Sequence, residues 1–454
     1  MVETTTKPRR KAGLQTRRAG KTEREPAGAA ARKTKRKTAG RVTRNKAPKS
    51  PARGRAAGGK GQAGRRGEDV RSDAHVTVTL GRSGGIDLRV TSRVDVYYGE
   101  SIRETAASVL AACGVKHARV DIDDKGAVPF VLAARIEAAL RRAGVAAGDA
   151  RPERAFARKA ATGKDRPRRS RLYLPGNEPK FMLNAGIHKP DGIILDLEDS
   201  VHPDEKDAAR LVVRNALRAV DFLGAERMVR INQMPRGLED VDAVAPESPD
   251  LVLIPKVETA DDVRLVRDRI ERARNRGRDG GAVWLMPIIE SALGVENAFE
   301  IAGAADTVVA LTIGLEDYTA DLGVRKTREG LESHFARSRL VNAARAAGVQ
   351  AIDSVYGDVG DMSGLETWAR RSRDMGFEGM GCIHPRQIRV IHGAFAPTSG
   401  EIQRALEIVE AFERARRRGL GVVSIGTRMV DPPVVLRAQR VVDAARRAGL
   451  LDEK

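Results

Sequence analysis

The amino-acid sequence predicts an α/β protein whose largest part is a (β/α)8 TIM barrel. From residue 170 onward, short apolar runs alternate with amphipathic helical stretches, and eight such units fit into about 220 residues. No glycine-rich dinucleotide fingerprint follows the first run, which disfavours an open doubly wound sheet. We place this domain at residues 170–398. Its predicted strands cover residues 172–174, 192–197, 228–231, 251–254, 283–289, 307–313, 351–354 and 379–383.

The positive charge of the chain is concentrated at its N-terminus. The formal net charge is +20, and residues 1–70 hold 22 Lys and Arg against 5 Asp and Glu, whereas the remaining residues hold 59 against 56. This segment has no aromatic residue and no apolar periodicity, so it cannot bury enough surface to fold. We expect a disordered basic arm over residues 1–69, with weak polyanion binding as an open alternative.

Two further features bear on the compartment. No stretch approaches the roughly 20 apolar residues of a membrane span, so we expect no membrane partner. The two cysteines, Cys113 and Cys382, have no metal-like spacing. Two reduced thiols are typical of a cytoplasmic protein, and we expect that localisation.

Residues 70–146 predict a small α+β domain in front of the barrel. Two alternating runs, 75–80 and 86–90, flank Ser83-Gly84-Gly85, which predicts a hairpin turn between them. The segment shows no pair of a nucleophile and a base, so the pattern alone indicates a binding or structural module. Its other predicted elements are helices at 101–113 and 131–142 and a strand at 118–123.

Two other segments complete the chain. Residues 147–169 are basic and lack periodicity, and we interpret them as a linker. Residues 399–454 form a predicted helical segment with helices at 402–416 and 435–448.

Polar or charged side chains follow the end of nearly every predicted barrel strand. In a parallel barrel these positions lie on one face, and that face carries catalysis. Two ends are the clearest, because the run 283–289 stops at Glu290 and the run 307–313 is followed closely by Asp317. Carboxylates on neighbouring strands are the hard oxygen ligands that Mg²⁺ prefers. We therefore predict a magnesium site at Glu290 and Asp317, with positions open for a 2-oxo or 2-hydroxy acid.

The neighbouring strand ends supply candidate catalytic residues. Arg230 has the planar fork that suits a substrate carboxylate, although a structural ion pair is the alternative. Glu198 and Asp199 are predicted to orient water bound to the metal. Lys256 ends a strand and leaves a Schiff base open as a second mechanism. The carboxylate-rich face favours the metal, which would stabilise negative charge as a C–C bond breaks or forms. Spacing does not identify the general acid or base.

Seven motifs of the barrel resemble the citrate lyase β-subunit family, within the wider citrate lyase/malyl-CoA lyase aldolase family. They are RLYLPGN at 171–177, ILDLEDSV at 194–201, VRIN at 229–232, LIPKVE at 253–258, PIIES at 287–291, GLEDYTADLG at 314–323 and GCIHP at 381–385.

The resemblance implies a Mg²⁺-dependent lyase that splits a citryl thioester, citryl-ACP or citryl-CoA, into oxaloacetate and an acetyl thioester. It implies metal ligation by Glu290 and Asp317, and it places Arg230, Glu290 and Arg171 among the substrate contacts. It also implies a homo-oligomer, a trimer or hexamer, with a citrate lyase α (transferase) subunit as a further candidate partner.

The small domain resembles the citrate lyase acyl carrier protein family. The resemblance rests on GIDLRVTSRV at 85–94, YGESIR at 98–103, DDKGAV at 123–128 and RIEAAL at 135–140. That family carries phosphoribosyl-dephospho-CoA on a serine in a Ser-X-Asp context. An ungapped alignment puts Arg71 at that position, so Ser72 is our candidate by a shift of one residue and Ser83 is second.

Two other functions stay open. One is a barrel that cleaves free malyl-, citramalyl- or citryl-CoA, with an unmodified carrier domain that only binds or regulates. The other is a non-catalytic scaffold assembled through the carrier fold and the basic arm.

Overall fold

The computed structural model describes residues 58–146, 148–156, 162–274, 281–419, 422–425 and 428–452. The part of the predicted basic arm at residues 1–57 lies outside these ranges. All eight predicted apolar runs form strands, and these close into a parallel barrel in the order in which they occur in the chain. The strands are β5 (Ser170–Pro175), β6 (Gly192–Asp196), β7 (Glu226–Arg230), β8 (Leu251–Ile254), β9 (Trp284–Ile289), β10 (Ala310–Ile313), β11 (Gln350–Asp353) and β12 (Gly379–Cys382).

Helices surround the barrel and cover its strands. Strands buried on both faces need continuous apolar runs, and the four residues of β8, for example, are all fully buried. The helices of the barrel are α3 (Pro179–Met182), α4 (Lys206–Ala219), α5 (Gly237–Val244), α6 (Ala260–Arg274), α7 (Ala292–Glu296), α8 (Ala298–Ala302), α9 (Leu315–Asp321), α10 (His334–Ala347), α11 (Met362–Met375) and α12 (Pro385–Phe395). Short 3₁₀ helices lie at Ala185–His188, Pro203–Glu205, Ala245–Glu247 and Leu331–Ser333.

The small domain has a four-stranded sheet with two helices. Its elements are β1 (Lys60–Ala63), β2 (Ala74–Leu80), β3 (Ile86–Ser92), α1 (Asp95–Ala112), β4 (Ala118–Asp124) and α2 (Pro129–Arg142), and the strand order is β1-β2-β4-β3.

The predicted hairpin between β2 and β3 is wrong. Strand β4 lies between them, antiparallel to β2 and parallel to β3. The long helix α1 provides the crossover that a parallel pair of strands requires, and its effect on strand order cannot be read from local alternation.

The predicted basic arm, residues 1–69, includes residues that belong to the folded small domain. Lys60–Ala63, assigned to the arm from composition, pairs with β2 as an antiparallel strand. Two glycines explain the close packing here, because a Cβ on Gly61 or Gly64 would lie about 2 Å from backbone carbonyl oxygens of Ala139 and Ala74. The strand is short and flanked by basic residues, so composition alone assigns it to the basic arm.

The small domain packs directly against the barrel through α2 and α4. Arg214 of α4 donates to Glu137 of α2 at 2.6 Å (Nη2 to Oε2), and both side chains are buried. Arg135 of α2 forms a bidentate pair with Asp73, with both bonds at 2.8 Å, and also donates to the main-chain oxygen of Asn177 in the first βα loop. Buried charges of both signs therefore meet at this contact and are paired.

The described part of the linker is anchored on the barrel. Arg168 is fully buried and pairs with Glu226 at 2.7 Å, while the Thr162 hydroxyl donates to the same carboxylate at 2.6 Å. Glu226 begins β7, so this segment covers the face of the barrel opposite to the strand ends that carry the candidate site. Composition alone predicted a spacer, because sequence spacing does not reveal these partners.

The C-terminal segment contains the two predicted helices, α13 (Ser399–Arg417) and α14 (Pro432–Arg447), which pack against each other. A small antiparallel hairpin that the sequence did not predict, β13 (Val423–Ile425) with β14 (Arg428–Val430), lies between them. Among the described residues, no helix combines the length and the apolar character that crossing a bilayer requires.

Candidate active site

The carboxyl ends of the barrel strands surround a cavity of about 400 Å³. Its wall includes five residues that the sequence singled out, namely Arg171, Asp199, Arg230, Glu290 and Asp317. These residues lie far apart in the chain, and the parallel barrel brings them to one face. The side chains predicted to lie on one face of the barrel therefore line one cavity, and their catalytic roles stay predictions.

Glu290 follows β9 directly and is buried, with 6% of its surface exposed. Its Oε1 accepts the main-chain N–H of Lys256 at 2.8 Å. Burial raises the pKa of the Glu290 carboxyl to about 8; the charges of Glu198 and Asp317 act in the same direction, and the bond from Lys256 and the charge of Arg230 oppose them. No ion pair compensates this carboxylate among the described residues, so its ionised form needs a cation.

Gly314 makes room for Glu290. The preceding residue, Ile313, pairs with Ile289, which places the ends of β10 and β9 side by side. A Cβ at Gly314 would lie 2.3 Å from Oε2 of Glu290, so any larger residue would force that carboxylate to move. The glycine therefore leaves room for the observed position of Glu290, and its place as the first residue of the acidic GLED run is the signal that sequence reasoning passed over.

Asp317 lies in α9, at the mouth of the cavity, and forms an ion pair with Lys256. The Lys256 Nζ to Asp317 Oδ1 distance is 2.9 Å. Partial burial opposes a charged Lys256, but the bond to Asp317 outweighs it and raises the pKa of the ammonium group. An ion-paired ammonium is a poor nucleophile, which disfavours the Schiff-base alternative.

Arg230 is held in place by acids. Its guanidinium donates in a bidentate manner to Asp196, at 2.6 Å and 2.7 Å, and its Nη1 lies 2.7 Å from Oε2 of Glu198. Burial alone would lower the pKa of Arg230, but the bonds to Asp196 outweigh it and raise that pKa. The Tyr173 ring lies 5.2 Å from the guanidinium carbon. Arg230 therefore forms the ion pair that was the alternative and also lines the cavity, while its contact with a substrate carboxylate stays a prediction.

The two adjacent acids differ in position. Glu198 is buried behind Arg230, whereas Asp199 lines the cavity with its side chain 59% exposed and lies 3.7 Å from Arg230 Nη1. Burial raises the pKa of Glu198 to about 7; the Arg230 charge opposes this rise and the Asp199 charge adds to it. Sequence spacing grouped the two residues, but only Asp199 faces the open space.

Arg171 lies deeper, as the second residue of β5. It is 1% exposed, and within the described ranges it donates only to uncharged acceptors: Met286 Sδ at 3.0 Å, Thr312 Oγ1 at 3.1 Å and the Asp353 main-chain oxygen at 3.4 Å. Burial lowers its pKa. It is thus a buried cation on the cavity wall.

The two carrier-domain serines lie in different surroundings. Ser72 is half-buried with a φ of 55°, and its N–H donates to the main-chain oxygen of Lys125. Ser83 is exposed in the loop between β2 and β3. The next residue after Ser72, Asp73, is bound by Arg135 at the contact with the barrel.

The donor set of the cavity fits a magnesium ion. Glu290 is a buried carboxylate without a cationic partner among the described residues, and Asp317 lines the same cavity. In the described parts of the chain, no three His, Cys, Asp or Glu side chains are grouped as a metal site. Two carboxylates suit Mg²⁺, which commonly keeps several waters or substrate oxygens among its ligands.

Fold and cavity together define a TIM-barrel protein with a carboxylate-containing cavity at the carboxyl ends of its strands, and the family matches place it in the lyase class. The family model for HpcH/HpaI aldolase/citrate lyase matches residues 169–385, and the model for the malonate decarboxylase delta subunit, an acyl carrier protein family, matches residues 64–143.

Similarity to individual proteins supports these family matches. The chain is 40% identical to the citrate lyase subunit beta of Leuconostoc mesenteroides subsp. cremoris over 293 residues. This alignment covers 64% of this chain and 97% of the relative. It is 33% identical over 294 residues, 62% of this chain and 86% of the relative, to mitochondrial citramalyl-CoA lyase of Mus musculus. The crystal structure of CitE from Mycobacterium tuberculosis, in complex with magnesium, acetoacetate and coenzyme A, matches with a TM-score of 0.52 and 29% identity, over 63% of this chain and all of that chain. The chain therefore belongs to the HpcH/HpaI aldolase/citrate lyase family, with an acyl-carrier-like domain in front of the barrel.

Proposed function

We propose that this protein is a Mg²⁺-dependent carbon–carbon lyase that cleaves a citryl thioester into oxaloacetate and an acetyl thioester. The observation that carries the proposal is the convergence of Glu290, Asp317 and Arg230 on one cavity at the carboxyl ends of the strands. The high identity to a citrate lyase subunit beta supports the choice of substrate.

The reaction breaks the bond between C2 and C3 of a 3-hydroxyacyl thioester. The hydroxyl group loses its proton to a base, and its oxygen becomes the carbonyl oxygen of the released oxo acid. The electron pair of the broken bond moves to C2, which is stabilised by the thioester and then takes up a proton. The products are the oxo acid and the acetyl thioester.

The chain's own residues bind and orient this substrate. Glu290 and Asp317 would hold Mg²⁺, and the Lys256 ammonium would then lose Asp317 as a partner. When bound, the ion supplies positive charge beside the oxygen on which negative charge develops. Arg230, fixed by Asp196 and Glu198, orients the carboxylate next to that oxygen, and Asp199 completes the polar wall.

The thioester substrate reaches the barrel in one of two ways. In the first, phosphoribosyl-dephospho-CoA attached to Ser72, or to Ser83 as second candidate, carries the citryl group as citryl-ACP. In the second, the barrel cleaves free citryl-, malyl- or citramalyl-CoA, which the citramalyl-CoA lyase relative and the presence of Arg71 at the aligned position favour. The intact mass of the isolated protein, compared with a Ser72→Ala variant, separates these cases. An unmodified protein that cleaves free thioesters supports the second.

The deciding experiment measures oxaloacetate release from citryl-CoA by the full chain with and without Mg²⁺. We expect release only with the ion, and its loss in Glu290→Ala and Asp317→Ala. If both variants were as active as the wild type, the metal site would be wrong. If no thioester were cleaved and both variants behaved like the wild type, a scaffold role would replace the lyase.

The assembly and the compartment are further parts of the proposal. We expect a homo-oligomer, a trimer or hexamer, in the cytoplasm, with an α (transferase) subunit as a second partner when the substrate is carrier-bound. Light scattering after size-exclusion chromatography gives the oligomeric state. Salt-dependent retention on heparin, compared with a chain lacking residues 1–57, tests polyanion binding by the arm.

A further inference from the structure

Arg171 differs from the other deeply buried arginines of this protein. Arg135 and Arg168 are also fully buried, and each forms a bidentate pair with a carboxylate, Asp73 or Glu226. Arg171 makes no such pair with any residue that the structure describes. Its acceptors are a thioether, a hydroxyl and a main-chain carbonyl, and its Nε has no hydrogen-bond partner in the part of the chain that the structure describes.

The acid whose main chain contacts Arg171 is already engaged. Asp353, whose main-chain oxygen accepts from Arg171, uses its carboxylate to accept from Arg337 at 2.5 Å, from Ser372 at 2.5 Å and from Trp368 at 3.2 Å. An arginine keeps its proton even when burial lowers its pKa. Because an uncompensated buried charge is costly, the guanidinium of Arg171 needs an anion from outside the chain.

The cavity offers the place for that anion. Arg171 and one of its partners, Thr312, both line it, as do Glu290 and Asp317. The second arginine on the wall, Arg230, is already bonded to Asp196 and Glu198 and lies beside Asp199. The cavity thus has two arginines, one supported by acids and one lacking them.

We propose that Arg171 binds a second carboxylate of the substrate and thereby selects thioesters that release a dicarboxylic oxo acid. A citryl thioester releases oxaloacetate, which has two carboxylates, whereas a citramalyl thioester releases pyruvate, which has one. This inference rests on the proposed lyase function and adds the substrate class to it. Arg230 orients the carboxylate beside the reacting oxygen, and Arg171 binds the distal one.

The test compares two substrates in Arg171→Met. Methionine fills similar space without charge, so the variant removes the anion-binding group and keeps the apolar stem. We expect kcat/KM for citryl-CoA to fall on the order of 100-fold, because a site built for a charged group loses strongly when that partner is missing. Cleavage of citramalyl-CoA is expected to change by less than about threefold. Equal losses for both substrates would overturn the proposal, as would a wild type that prefers citramalyl-CoA.

Two further variants keep the test decisive. Arg171→Lys retains the charge and should recover part of the citryl-CoA activity. Thr312→Val removes one bond to Arg171 without removing its charge, and its loss should be smaller but again confined to citryl-CoA. If Arg171→Met does not fold, these two variants decide by the same substrate ratio.

A binding measurement separates this inference from the lyase function. Thermal unfolding of the full chain is followed with Mg²⁺ and equal concentrations of oxaloacetate or pyruvate. We expect oxaloacetate to stabilise the wild type more than pyruvate does, and Arg171→Lys and Thr312→Val to narrow that difference. If no thioester is cleaved but this difference is present, the lyase proposal fails and the carboxylate site stands. If the two acids stabilise the wild type equally, Arg171 has no such role.

Discussion

Buried charges occur in two regions of this protein, and within the described part of the chain they are paired in one region and unpaired in the other. At the contact between the carrier-like domain and the barrel, Arg214 meets Glu137, and Arg135 meets Asp73. In the cavity, Glu290 lacks a cationic partner and Arg171 lacks an anionic one among the described residues. The first region is electrostatically complete without a ligand, and the second is not.

The difference teaches how to separate assembly from function. A buried ion pair that is complete contributes modestly to stability, but removing one partner leaves a charge in a medium that solvates it poorly. A buried charge that is left incomplete costs stability in the free protein and is repaid when a ligand binds. Loss of a charge should therefore unfold the first region and inactivate the second.

The largest effect is expected for Glu290→Gln. The amide keeps the size of the side chain and removes the charge that would hold the metal, so activity should fall by roughly 1,000-fold or more. Its stability without Mg²⁺ should equal or exceed that of the wild type, because a buried uncompensated carboxylate is removed. The checks are steady-state oxaloacetate release and urea unfolding. A variant that is both active and less stable would contradict the distinction between the two regions.

At the domain contact, Arg214→Met should act on stability instead. It leaves Glu137 buried with Arg141 as its remaining charged partner, and we expect the free energy of unfolding to fall by about 3 kcal/mol. The matched control is Arg142→Met at the same contact. It breaks more exposed bonds, to Asp207, Glu205 and the main-chain oxygens of Gln62 and Asp204, and should cost less than Arg214→Met. Urea unfolding measures both. Similar costs for the two variants would refute the role of burial here.

Gly314→Ala should disturb the cavity without a change of charge. A methyl group there meets Oε2 of Glu290, so the carboxylate must move, and activity should fall on the order of 100-fold at a small cost in stability. Gly303→Ala is the control, since its added methyl group would have no neighbour closer than 3.7 Å. If Gly314→Ala kept full activity, the position of Glu290 would not be critical.

The smallest effect concerns a titratable group outside both regions. Burial lowers the pKa of His392, Asp191 opposes this and Arg169 adds to it, while Ser170 lies 2.7 Å from its Nε2. The unfolded chain therefore binds more protons than the folded one as the pH falls from 6.5, and stability is lost in that direction. We expect His392→Gln to reduce the loss of unfolding free energy at low pH by less than about 1 kcal/mol, as urea unfolding at several pH values would show. An unchanged dependence would exclude this histidine as its source.

The sequence predicts the barrel well because its strands are buried on both faces and appear as apolar runs. It also predicts Glu290, Asp317 and Arg230 at one face, since parallel strands place their carboxyl ends together. It misses what depends on contacts between distant segments. The position of β4 between β2 and β3, the strand Lys60–Ala63 and the anchored linker are of this kind.

In the site, too, local sequence patterns predict some features, and contacts between distant residues determine the others. The motifs indicate which acids face the cavity, but not that Lys256 pairs with Asp317, nor that Asp196 occupies the fork of Arg230. These pairings depend on side-chain geometry at adjacent strand ends, which no local pattern encodes. The uncompensated state of Arg171 is visible only when all its neighbours are known.

The central claim is that Glu290 and Asp317 form one magnesium site. Isothermal titration of the full-length protein with Mg²⁺ tests it most directly, with Asp317→Asn and Glu290→Gln measured under the same conditions. We expect one bound ion per wild-type chain and loss of binding in each variant. Undiminished binding in both variants would show that the ion, if it binds at all, is held elsewhere.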